Sequence, residues 1–84
     1  MRIKLYQKVS LTKDLPEYKL HKGDVAVAVE HLPATPATHG EEGYALEVFN
    51  AIGDTIAVIM VPATAVKPLT EEEILQVRSL STTK

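Results

Sequence analysis

The side chains able to do acid–base or metal chemistry in this 84-residue chain are few and scattered. Three histidines, His21, His31 and His39, fall near Glu30, Glu41 and Glu42. A metal ion needs three or four converging ligands held by outer-shell partners. "HGEEG" at 39–43 offers one imidazole and two carboxylates on a glycine-flanked loop, and no CxxC, HExxH or EF-hand spacing supports it. There is no cysteine, which removes thiolate nucleophiles and disulfides. Ser10, Ser79 and Ser81 lack the G-x-S-x-G setting of a nucleophile elbow. Asp14, Glu17, Asp24 and Glu30 are candidate carboxylate pairs, but acid–base work needs a cleft that shifts a pKa, and a thin-cored domain rarely has one. The expectation is a chain that is not an enzyme, with no catalytic residues, no metal and no cofactor.

Binding chemistry is narrowed in the same way. Four scattered glycines supply no phosphate-cradling loop. "HKGDVAVAVEHL" at 21–32 is similar to the KOW motif, where a Gly-Asp turn opens a valine-rich strand of an RNA-binding barrel. Lys4, Lys8, Lys13, Lys19 and Lys22 make the first quarter modestly basic. Against this stands a net charge of −2, and stacking platforms need aromatics. With no tryptophan, one phenylalanine and three tyrosines, a proline-peptide groove and a methyl-lysine cage are disfavoured too. Nucleic acid is therefore the weaker alternative, as a KOW-like barrel.

The elements that must carry any site follow from periodicity. Residues 3–11 alternate, with Ile3, Leu5, Val9 and Leu11 on one face, Arg2, Lys4, Tyr6, Lys8 and Ser10 on the other, and Gln7 as the exception. A strand is expected near 5–11. Pro16 and dense charge then give a long loop, tacked down by Leu15, Tyr18 and Leu20 and ending at Lys22-Gly23-Asp24. The next strand, 24–31, sets Val25, Val27 and Val29 against Ala26 and Ala28. The valines read as the core face, because β-branched chains suit a pleated interior. "LPATPATHGEEG" is a loop, its repeated Pro-Ala-Thr being chance rather than a repeat architecture. Strands follow at 44–50 and 55–61, joined at Gly53-Asp54, with one helical turn at "ATAV" and a last strand at 66–69. The 55–61 strand is apolar on both faces and is expected to be covered on both. Val27, Leu46, Val48 and Ile59 are expected in the core. Thr70-Glu71-Glu72-Glu73 is a capping-box pattern that predicts a helix to about Leu80, with "STTK" frayed.

The fold expected is mostly β: a five-stranded, partly open SH3-like barrel over 1–69, with the short C-terminal helix and tail at 70–84. A sheet backed by that helix is the alternative. No apolar run is long enough to span a bilayer, "MRIKLYQKVS" is unlike a signal peptide, and the cysteine-free composition suits a cytoplasmic setting.

"LTKDLPEYKLHKGDVAVAVE", "YALEVFNAIGDTIAV" and "VPATAVKPL" together resemble the bacterial family called domain of unknown function 4926. The resemblance runs from about Tyr6 to Leu69 and rests on Leu15-Pro16-Glu17-Tyr18, Gly23-Asp24-Val25, Glu47, Gly53, Pro62-Ala63 and Pro68-Leu69, among others. Ala26, where the family often has glycine, and a longer loop at 33–43 are departures. The resemblance implies an SH3-like barrel and carries no known activity. What remains is a protein-interaction or accessory module. Its expected surface is Ala26, Ala28, Phe49, Ile56, Val58 and Met60, facing an unidentified protein partner or a second copy, unless the C-terminal helix covers it.

Overall fold

Alternation of apolar and polar residues builds five strands in the computed structural model, which describes residues 3–80. Arg2 and the expected fraying of "STTK" lie outside the described residues. The strands are β1 (Lys8–Leu11), β2 (Val25–Leu32), β3 (Gly43–Phe49), β4 (Thr55–Pro62) and β5 (Val66–Pro68). Single 3₁₀ turns occur at Pro16–Tyr18, Pro36–Thr38 and Ala63–Ala65. All strands join one antiparallel sheet in the order β4-β3-β2-β1-β5. The first four form a meander, and β5 returns to pair with β1.

β1 begins later than its alternation suggests. The Gln7 amide donates to the Lys4 carbonyl at 3.3 Å, and the Lys4 amide donates to the Gln7 side-chain oxygen at 3.0 Å. Tyr6 between them takes φ 65°. Gln7, the break in the pattern, is thus the mark of a turn. Ile3 reaches the core, whereas Leu5 stays on the surface.

The core contains Val9, Leu11, Leu15, Leu20, Tyr44, Leu46, Val48, Ile59 and Val61. Leu46, Val48 and Ile59 are buried as expected. β2 corrects the reading of its faces: Ala26 and Ala28 point inward, at 4% and 0% exposure, while Val25, Val27 and Val29 are half-buried on the outer face. The register supplies the reason. Ala26 lies opposite Val9 and Ala28 opposite Leu46, both wholly buried. A strand between two bulky neighbours in a thin core has room only for small side chains. β-branched residues suit either side of a pleated strand, so the valines did not identify the inner one.

Two further corrections concern coverage. β4 is buried on one side only: Ile59 and Val61 point in, whereas Ile56, Val58 and Met60 are exposed. The C-terminal helix is not formed among the described residues. The capping box begins, with the Glu73 carboxylate accepting from the Thr70 amide at 2.7 Å and the Glu73 amide donating back to the Thr70 carbonyl at 3.1 Å. One turn results, and residues 74–80 continue without regular structure. Ile74, Leu75, Val77 and Leu80 form no helical stripe and remain exposed. A helix this short is marginal without a packed face.

Candidate interaction surface

The loop between β1 and β2 is held by its own polar groups, and this fixes Asp24. Leu15 and Leu20 are buried and exchange backbone hydrogen bonds at 2.9 and 3.1 Å, while Tyr18 remains exposed. Asp14 accepts from the Lys22 amide at 2.8 Å and Asp24 from the His21 amide at 2.7 Å, closing the turn at Gly23, whose φ is 94°. Asp24 also receives both arms of Arg78, Nε at 2.8 Å and Nη2 at 2.5 Å. Burial alone would raise its pKa. The Arg78 hydrogen bonds, the His21 amide and the Arg78 charge outweigh this and hold it below the ordinary aspartate value. The Arg78 guanidinium is in turn held more firmly protonated, chiefly by its bond to Asp24. Lys67 pairs with Glu73, and that hydrogen bond, helped by the Thr70 amide, lowers the Glu73 pKa.

These two ties lay the segment after β5 across the outer face of the sheet. An open groove of about 880 Å³ lies beside the Asp24–Arg78 tie, lined by Val25, Val27, Phe49, Ile52 and Ile56 on the sheet side and by Leu75–Leu80 on the other. The tail does not fill it: Val77 is 92% exposed. Beyond the groove, the outer face of β4 continues with Val58 and Met60, at 62% and 67% exposure. Glu47 stands opposite Val58 and accepts a 2.5 Å hydrogen bond from Thr55, so one carboxylate interrupts the apolar strip.

Of the six residues expected on this surface, the structure places Phe49, Ile56, Val58 and Met60 outside and Ala26 and Ala28 inside. Val25, Val27 and Ile52 join this surface beyond the six expected, the valines because β2 turns them outward rather than into the core. The Asp24–Arg78 pair joins residues 54 positions apart and leaves no local signal.

The histidines do not assemble a site. His31 Nε2 lies 2.6 Å from Glu42 and its ring tilts on Tyr44 at 5.3 Å, while His21 and His39 are exposed in separate loops. Among the described residues no three His, Asp or Glu side chains converge where a metal ion could sit. Nor is any helix there long and apolar enough to cross a membrane.

Residues 5–74 match the family model for a domain of unknown function, DUF4926. The chain belongs to the DUF4926 family. Neither the curated proteins nor the solved structures give a match. The DUF4926 match takes in all five strands, Asp24 and the exposed residues of β3 and β4, and it stops before Arg78.

Proposed function

We propose that this DUF4926 chain is a non-catalytic protein-interaction module of SH3-like, partly open barrel plan, acting in the cytoplasm. Its contact surface is the outer side of β3 and β4. The reading rests on one observation: Phe49, Ile56, Val58 and Met60 are exposed together on neighbouring strands of a domain too small to leave such area idle. The meander, the 3₁₀ turn before β5 and the return of β5 to β1 support the barrel plan.

A photo-crosslinking residue at Val58, compared with one at exposed Lys19, tests the surface in extract of the source cells. Discrete protein adducts from position 58, absent from position 19 and lost on Phe49→Asp, are expected. An unpaired charge is costly in an apolar contact. Equal labelling at both positions would overturn the reading. A salt titration with single-stranded RNA separates the nucleic-acid alternative, because phosphate-driven binding weakens steeply with salt.

A further inference from the structure

β4 ends the sheet, and its free side has a defined hydrogen-bonding pattern. The Ala63 amide donates to the Glu42 carbonyl at 2.9 Å. Carried along the β3–β4 register, this makes Ala57, Ile59 and Val61 the residues that exchange hydrogen bonds with β3. The amides and carbonyls of Val58 and Met60 therefore point away from the sheet, on the side where β4, as the end strand, has no neighbouring strand among the described residues. The same two residues hold their side chains exposed on the outer face.

The edge has little of the usual protection: its one irregularity is at Ile56, the extra residue between the Val48–Ala57 and Phe49–Thr55 pairs, and from Ala57 to Pro62 its register against β3 is unbroken. Edge strands are normally blunted by lysine, by internal proline, by inward charge, by bulges or by being short. Thr55–Pro62 carries no charged residue, and its proline stands at the end. It is eight residues long, and the stretch from Ala57 to Pro62 runs unbroken for about 20 Å at 3.4 Å per residue. The opposite edge, β5, is different: it has three residues, ends in Pro68, and its lysine is engaged by Glu73.

We propose that β4 pairs antiparallel with β4 of a second copy of this chain, joining two sheets across a two-fold axis at Ile59. This rests on the interaction-module reading and names its partner. In that register Val58 faces Met60 of the copy and Met60 faces its Val58, each pair exchanging two backbone hydrogen bonds. Outer side chains Ile56, Val58 and Met60 of both copies then form one apolar strip. No like charges meet along it, since the strand has none. Each chain has one long open edge, so the two-fold contact closes at a dimer and does not propagate. The contact is at the small end of specific interfaces, so a micromolar rather than nanomolar dimer is expected.

The test is sedimentation equilibrium of the full chain across a wide concentration range, with amide exchange read by NMR at both ends of it. The expected result is a monomer–dimer equilibrium in which the Val58 and Met60 amides are protected only in the concentrated sample. Met60→Pro removes one outward amide but no bond to β3, and proline is tolerated on an edge strand. It should weaken the dimer at least about tenfold, as should Val58→Lys, whereas Met60→Leu should not. Circular dichroism confirms that each variant is folded. A dimer with unprotected Val58 and Met60 amides would overturn edge pairing while leaving the surface reading in place. A monomer at every concentration would overturn the second copy as occupant, and the crosslinking comparison would then judge the surface alone.

Discussion

Asp24 does three jobs with one carboxylate: it closes the turn at Gly23, opens β2 and anchors Arg78. Its folded pKa lies below its ordinary value, so the stability it contributes is complete above the unfolded pKa and is lost as pH falls through the folded one. Asp24→Asn should cost about 0.5–1 kcal/mol at neutral pH, the range for a partly exposed ion pair. The gap to the parent should close in acid, below the usual aspartate range, and denaturant midpoints measured against pH check this. Gly43 is a different kind of residue-level constraint. A Cβ there would sit 2.4 Å from the Val61 carbonyl oxygen, against backbone that cannot swing aside. Gly43→Ala should cost about 1–3 kcal/mol by overpacking and loosen the β3–β4 pairing next to the proposed edge. A denaturant midpoint equal to the parent's would show that β4 can shift to make room.

Strand number, the β-hairpin and the loops were legible because period two and turn chemistry are local. Asn50 and Gly53 show this well: the Asn50 side-chain oxygen accepts from the Ile52 and Asp54 amides at 3.1 and 2.9 Å, and Gly53 takes φ 96°. The inward face of β2 was not legible, because Val9 and Leu46 decide it from other strands. That Phe49, Ile56, Val58 and Met60 are exposed was legible because β4 is apolar on both sides and a small sheet domain buries only one. Ala26 and Ala28 failed with the face assignment. A paired substitution measures that reversal. Ala28→Val adds volume between Val9's strand and Leu46 and should cost about 1–3 kcal/mol. Val27→Ala trims a half-buried outer chain and should cost less than about 1 kcal/mol, since no core cavity opens. Equal losses would mean that both faces of β2 are packed.

At the scale of the molecule, the question is whether the tail belongs to the fold or only lies on it. Its apolar side chains argue for the second: Ile74, Leu75, Val77 and Leu80 are 84%, 56%, 92% and 58% exposed. What holds it is polar, chiefly Arg78 on Asp24 and Lys67 on Glu73. Deleting residues 75–84 keeps the DUF4926-matched segment and the turn at Thr70 and removes Arg78. Loss of one surface ion pair should lower stability by about 1 kcal/mol or less, with the strands intact. The groove floor of Val25, Phe49 and Ile56 would then open fully to solvent, and binding of an apolar dye should rise. Val58 and Met60 lie outside the groove, so the β4-mediated dimer should survive the deletion unchanged. Sedimentation of the deletion beside the full chain reads this directly. If the shortened chain loses its dimer, the tail is part of the contact. If it unfolds, the extended segment supplies packing that its exposure does not suggest. Survival with raised dye binding separates the groove from the edge as two surfaces of one small domain.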